Sequence, residues 1–238
     1  MNDTVARYKS FAGALLREPD NPEHLINQFA LLINDGDRAN SKHYLHLAQR
    51  AYNAAPNDIN AVFSYGSALQ RAGKFASAKD VYRWCVDHAP EEWLTRSLHH
   101  LGVAYRALGQ NELAIEYYSR AISRNPDPDY RKDRALAKMA SGRLREGLEE
   151  FECRRESSAQ RLAANRGKLI GQRRLPAGVT HWQGEDLAEK TLVVYHEDGA
   201  GDFIQFCRFI PRLRDTGVAK ILLTGPLPDL LEMVSDQI

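Results

Sequence analysis

The chain has 238 residues, which is enough for one large domain or two small ones. Apolar residues make up 43% and charged residues 26%, ordinary values for a folded protein that exclude a disordered, collagen-like or low-complexity chain. The 32 basic and 31 acidic side chains give a formal net charge of +1, so no overall field favours binding to nucleic acid or to an anionic membrane.

Three further features of the sequence bear on the compartment in which the protein is found. No apolar run approaches the roughly 20 residues of a membrane span, and the N-terminus has neither a basic leader nor an apolar core. The three cysteines are far apart and in no metal-ligand spacing, which is typical of thiols in a reducing compartment. We therefore expect a cytoplasmic protein with no membrane partner.

The first predicted element is a helix over Thr4–Arg17, which ends before two prolines. The segment 25–58 follows, and it is a weak copy of a pattern that the next two segments show in full. Within it, His43 and His46 are three residues apart, a spacing that can chelate a metal. Since no further ligand is placed to complete a shell, we interpret both as surface residues and predict no metal site.

An internal repeat of about 34 residues relates the segment Ile59–Glu92 to Thr95–Pro128. Small residues recur where two helices must approach closely, aromatic residues recur beside them, and a proline ends each copy. The matched pairs are Gly66 with Gly102, Gly73 with Gly109, Ala78 with Ala114, Tyr82 with Tyr118, and Pro90 with Pro126. A weaker copy occupies residues 128–155, where Arg131, Arg134 and Lys138 stand at apolar positions, as is common in a terminal repeat.

This pattern resembles the tetratricopeptide repeat, a helix–turn–helix unit. The resemblance implies a mainly α fold over residues 1–155, an array of about four helical hairpins with a concave face lined by the first helix of each pair. Repeat geometry places eight residues on that face: Asn60, Phe63, Ser67, Gln70, Arg96, His99, Val103 and Arg106. They suggest a groove for a peptide or partner helix. Alternatively, the array only spaces or dimerises another domain, and these residues form a solvated face.

Residues 156–186 form a predicted connector. Between Arg154 and Arg174 there are seven basic side chains and only one acidic side chain, Glu156. Base stacking needs aromatic residues among such charges, and none is present. We therefore expect a solvated linker and no nucleic-acid partner.

At residue 187 the pattern changes to that of a partial Rossmann-like βαβ segment, which runs to residue 238. Leu192–Tyr195 and Ile221–Leu223 are predicted strands. Between them lies a predicted helix, kinked at Pro211, whose inward side carries Phe203, Phe206, Ile210 and Leu213. A dinucleotide fingerprint fails because Ile204 stands where its third glycine belongs.

The stretch Trp182-x-Gly184-x-x-Leu187 and the run Lys190–Phe209, with its Gly-x-Gly-Asp loop, resemble bacterial tetratricopeptide proteins that carry a two-lobed glycosyltransferase-like domain. The family relates to heptosyltransferases and O-GlcNAc transferases. The resemblance implies that Asp202 is the catalytic base, with His196 and Glu197 as secondary candidates, and that Gly199 and Gly201 approach the substrate. Asp202 is equally well explained as a helix N-cap.

The sequence thus predicts a protein-interaction array at the N-terminal end of a glycosyltransferase. The enzyme would transfer a sugar from a nucleotide-sugar donor to an acceptor that the repeats recruit. Only 48 residues follow residue 190, so we expect the donor lobe to be missing, no cofactor, and no activity of this chain alone. The alternative is a tetratricopeptide scaffold with a vestigial α/β tail. Self-association into a homo-oligomer is compatible with either.

Overall fold

The computed structural model describes residues 16–34, 41–154, 184–195 and 200–224, together with Gly13, Thr180, Trp182, Leu227 and Glu232. They belong to two compact units, Met1–Ser157 and Ser158–Ile238. The predicted helix Thr4–Arg17 and the basic connector lie mostly outside the described residues.

The described part of the first unit is built from α-helices that pack mainly against their neighbours in the chain. Their bounds are α1 (Pro22–Asn34), α2 (Ser41–Ala54), α3 (Ile59–Arg71), α4 (Phe75–His88), α5 (Glu91–Ala107), α6 (Asn111–Arg124), α7 (Pro128–Ala140) and α8 (Leu144–Phe151). They form four antiparallel hairpins in series, with a continuous core between α3 and α7. The predicted mainly helical array is confirmed.

The turns inside the last three hairpins depend on glycine. Gly73 and Gly109, predicted to turn the chain, have φ angles of 72° and 76°, and Gly142 in the last hairpin has 87°. This left-handed region is strained for residues with a Cβ atom. The repeated glycines therefore fix where each first helix ends and its partner begins.

The second pair of repeated glycines lets the two helices of a hairpin touch. A Cβ atom on Gly66 would lie 2.9 Å from the ring of Tyr82, and one on Gly102 would lie 2.8 Å from the ring of Tyr118. Both tyrosines are fully buried. The predicted packing of a small residue against an aromatic one is therefore present in both repeats.

Two of the basic residues that weaken the last repeat, Arg134 and Lys138, pair with one carboxylate, that of Glu150. Arg134 donates from Nε to Oε1 of Glu150 at 2.9 Å, and Nζ of Lys138 lies 2.9 Å from Oε2. Burial alone would raise the pKa of Glu150, but the hydrogen bonds from Arg134 and Lys138 outweigh it and hold the pKa below its usual value. Ion pairs thus replace part of the apolar contact between α7 and α8.

The second unit contains two parallel strands with helical segments between them. β1 (Thr191–Tyr195) pairs with β2 (Lys220–Thr224), and α9 (Ala200–Cys207) and a 3-10 helix (Ile210–Thr216) lie between them in the chain. Both predicted strands are present. Two short strands are weak support for a Rossmann-like fold, because complete parallel sheets have more strands and are covered on both faces.

The predicted inward face of the connecting helix is partly wrong. Ile210 is buried as predicted, but Phe206 is 58% exposed, and Cys207, which was not predicted to face inward, is buried. The α-helix ends at Cys207, and Pro211, which has no N–H to donate, stands in the 3-10 helix that follows. The change of helix type shifts the residues that face inward. Cys207 and Ile210 pack against Val194, Leu213, Ile221 and Leu223. The side chain of Phe203 is outside the described residues.

Candidate functional site

An open pocket of about 500 Å³ lies across the first helices α1, α3 and α5. We call it the first-helix pocket. It brings together five of the eight predicted groove residues, namely Asn60, Phe63, Ser67, Gln70 and Arg96. The helices that line it are the ones that repeat geometry assigns to the concave face.

The floor of the pocket is aromatic. Phe63 is 6% exposed, and the ring of His100 stacks on Tyr82 at 5.2 Å between centroids and meets Phe63 edge-on at 5.1 Å. Nδ1 of His100 lies 3.2 Å from Oε1 of Gln70, a geometry that suits donation from the imidazole to the amide oxygen. His100 is therefore a packing residue that also lines the pocket.

His100 carries no charge at neutral pH. The pKa of His100 is lowered to about 3, chiefly by burial and also by the neighbouring His99 and Arg96, while Asp133 acts in the other direction. The floor of the pocket is thus neutral, and the charge in the pocket comes from its rim.

That rim is positively charged. The guanidinium of Arg96 lies over the rings of Phe63 and Trp93, 5.1 Å from each centroid. Arg71 in the last turn of α3 also lines the pocket. Among the described residues neither arginine forms an ion pair, and no carboxylate lines the pocket. The guanidinium groups of Arg71 and Arg96 are therefore available to a ligand with negative charge.

The other three predicted groove residues do not line this pocket. His99 turns towards α7, where its Nε2 lies 2.8 Å from Oδ2 of Asp133 and its ring stacks on Tyr130 at 4.3 Å. Val103 and Arg106 are half-buried further along α5.

Several pocket residues were missed by the sequence prediction. The array reaches the pocket through Phe29 and Ala30 of α1 and through Trp93 and His100 of α5. A signal existed for α5, because Trp93, Arg96 and His100 follow the spacing of one helical face. The repeat alignment hid Trp93, since α5 begins at Glu91, about one turn earlier than the corresponding α3, and Trp93 has no counterpart within that helix.

The candidate catalytic residues are only partly described. His196, Glu197 and Gly199 lie outside the described residues. Asp202 is the third residue of α9 rather than the residue before the helix, where an N-cap stands. Gly201 precedes it, and a Cβ atom there would meet nothing within 4 Å.

The described residues offer neither a metal site nor a membrane-spanning helix. They contain no group of three His, Cys, Asp or Glu side chains that could hold a metal ion. All three cysteines are buried, and burial raises the pKa of Cys85 to about 12, which keeps that thiol unreactive. In this part of the chain no helix is both long and apolar enough to cross a membrane.

Comparisons with known proteins agree with the repeat pattern. The tetratricopeptide repeat family model matches residues 95–128, the second of the two predicted repeats. The MamA protein crystal structure has 19% sequence identity and a TM-score of 0.54, over 71% of this chain and 90% of that one. A MamA RS-1 double mutant has 20% identity and a TM-score of 0.56, over 68% and 89%. At such identities the likeness shows the fold alone.

A curated relative extends the similarity beyond the repeats. Protein FlbA of Caulobacter vibrioides is 26% identical over 215 residues, which cover 89% of this chain and 34% of FlbA. The chain therefore spans about a third of the length of that relative. With the glycine turns and the serial hairpins, these similarities show that the chain contains a tetratricopeptide repeat at residues 95–128 within an array of helical hairpins.

Proposed function

We propose that the helical array is a protein-interaction scaffold that binds an extended segment of a partner protein in the first-helix pocket. The pocket itself carries the proposal. It has an aromatic floor of Phe63 and His100, packed on the buried Tyr82, and an exposed rim that includes Asn60 and Arg96. Aromatic surface beside convergent polar groups is common in recognition sites.

The floor is preorganised for this purpose. Ser67 Oγ lies 3.2 Å from Tyr82 Oη, and the side-chain amide of Gln70 contacts His100. Both polar side chains of α3 are therefore held in place before a ligand binds. Side chains already held in place lose less conformational entropy on binding. Support for the scaffold comes from this geometry and from the fold.

Filling the pocket is expected to abolish binding. Ala30 is an exposed residue of α1 that lines the pocket, and Ala30→Trp would place an indole where the partner segment lies. Peptides selected from a displayed random library against the whole chain should bind Ala30→Trp at least tenfold more weakly, which corresponds to about 1.4 kcal/mol. Fluorescence anisotropy of the labelled peptides measures the dissociation constants.

Ala76→Trp is the matched control. Ala76 is equally an exposed helical alanine, but it lies on α4, the second helix of its hairpin, and does not line the pocket. Its variant should bind within about twofold of the parent chain. Equal losses in the two variants, or no loss in Ala30→Trp, would rule out the first-helix pocket as the binding site.

The glycosyltransferase assignment is a second candidate, and the comparisons give it no support. One observation favours it. β1 and β2 are parallel with α9 between them in the chain, and Gly201 and Asp202 lie in the first turn of α9 with open space around Gly201. A carboxylate in the first turn of a helix is stabilised in its ionised form, as a general base requires.

Sugar transfer from labelled nucleotide sugars tests this candidate directly. The whole protein and its Asp202→Asn variant would be incubated with donors and the products separated from free sugar. If Asp202 is the base, the variant should lose at least a hundredfold in rate, since positioned general bases contribute roughly 10²–10⁴. Equal rates would show that Asp202 is not the base. If the whole protein transfers no sugar, the scaffold function is the one that remains.

A further inference from the structure

We infer that the partner segment presents an aspartate or glutamate side chain next to an aromatic or aliphatic residue, and that the rim arginines Arg71 and Arg96 receive its carboxylate. This inference rests on the proposed scaffold function. It names the chemistry of the partner, which the fold alone does not.

The pocket is positively charged. Arg71 and Arg96 both line it, and within the described part of the chain no acidic residue does. Several basic side chains elsewhere in the array are instead paired with carboxylates. Arg124 contacts Glu91, Lys132 contacts Asp129, and Arg134 contacts Glu150. A rim of two unpaired guanidinium groups attracts an anion.

Arg96 is held in an orientation that suits a carboxylate ligand. Its guanidinium lies over two rings, those of Phe63 and Trp93, at 5.1 Å from each. Stacking of this kind restrains the side chain while leaving the N–H groups at its edge available. A planar carboxylate accepts two such parallel bonds, so a restrained arginine suits it well.

The floor of the pocket is aromatic and uncharged. His100 remains neutral because its pKa is lowered, so the floor beside the cations offers aromatic surface without a competing charge. A segment that placed only carboxylates here would leave this surface uncovered. An apolar side chain next to the acidic one covers Phe63 and Trp93 while the carboxylate reaches the rim.

The charge of the pocket and its position across the first helices favour a segment of a protein chain as its ligand. The pocket is open and spans three successive first helices, α1, α3 and α5, and an extended segment can follow such a surface from one hairpin to the next. The site therefore favours an acidic residue within a chain over a small isolated anion.

Selection from a phage-displayed random twelve-residue library tests the inference, because displayed peptides have no free C-terminal carboxylate and any acidity recovered is that of side chains. The whole chain, an Arg71→Gln/Arg96→Gln variant and an Arg120→Gln control would be panned in parallel. Arg120 is a matched control, since its guanidinium also lies 5.1 Å from an aromatic ring, that of Tyr117, but on the second helix α6.

We expect Asp or Glu beside an aromatic or aliphatic residue to be enriched at least fivefold over the unselected library by the parent chain and by Arg120→Gln. The double variant should show no such enrichment. For a recovered peptide, Glu→Gln in the peptide should weaken binding about tenfold in low salt and less in high salt. On the double variant, the two peptides should bind equally.

The possible failures are distinguishable. Peptides without acidic residues whose binding is lost in Ala30→Trp would overturn the carboxylate inference and leave the scaffold intact. Acidic peptides recovered equally by the double variant would also overturn it, because the acid would then bind elsewhere. Recovery of nothing above the bare resin would overturn both. Circular dichroism of each variant confirms that the helices are retained.

Discussion

Gly102→Ala is expected to lower the free energy of unfolding of the helical array by about 2 kcal/mol. The added Cβ atom would lie 2.8 Å from two ring atoms of Tyr118, which is fully buried and has no room to move. Overpacking of this kind costs about 1–3 kcal/mol. Alanine recovers only about 1 kcal/mol in helix propensity, so we place the steric cost at the upper end of that range. Urea unfolding followed by circular dichroism measures the change.

A second substitution at the contacting residue serves as the control. If the ring of Tyr118 causes the loss, Gly102→Ala made in a Tyr118→Leu background should cost less than about 0.5 kcal/mol, and the two changes should be strongly non-additive. Additive effects would show that the contact between Gly102 and Tyr118 does not set the helix spacing. Gly66 and Tyr82 make the same contact in the preceding hairpin, with a distance of 2.9 Å.

Acid is expected to destabilise the array through His100. Its pKa is lowered from 6.5 to about 3 in the folded chain, so the unfolded chain binds a proton first as the pH falls. Stability from His100 is therefore fully present above about pH 6.5 and is lost progressively between pH 6.5 and pH 3. Since the ring is partly open to the pocket, we expect a loss of about 2 kcal/mol between pH 7 and pH 4.5. Urea unfolding at several pH values measures it.

Replacing the titrating ring isolates this contribution. His100→Phe keeps an aromatic ring against Phe63 and Tyr82 and has no proton to gain. Its stability should fall less between pH 7 and pH 4.5 than that of the parent, by the same 2 kcal/mol. Parallel curves for the parent and His100→Phe would show that His100 titrates normally.

The parts of the fold that follow local chemistry were predictable from the sequence. Gly73 and Gly109 had to lie in turns because of their position between two amphipathic segments, and their φ angles agree. The last hairpin was less clear, because its basic residues interrupt the apolar pattern. Two of them, Arg134 and Lys138, pair with Glu150 on the next helix, a tertiary contact that the spacing within α7 does not contain.

The site was predicted only in part for a related reason. Alignment of the two repeats placed His99 opposite Phe63, but His99 contacts α7 and His100 lines the pocket. Trp93 lies in an additional first turn of α5 that has no counterpart in α3. The contribution of Ala30 depends on how α1 packs on α3, which no local pattern reports. In the second unit, the 3-10 segment at Pro211 changed the buried face for the same reason.

The central claim is that a partner segment binds on the first helices, and two tryptophans test it in one spectrum. Trp93 lines the first-helix pocket, whereas Trp84 stacks on His88 on the second helix α4 at 4.6 Å. On titration with a selected peptide, the indole N–H signal of Trp93 in a two-dimensional NMR spectrum should shift in proportion to binding while that of Trp84 stays in place. A shift of Trp84 with none at Trp93 would contradict the account.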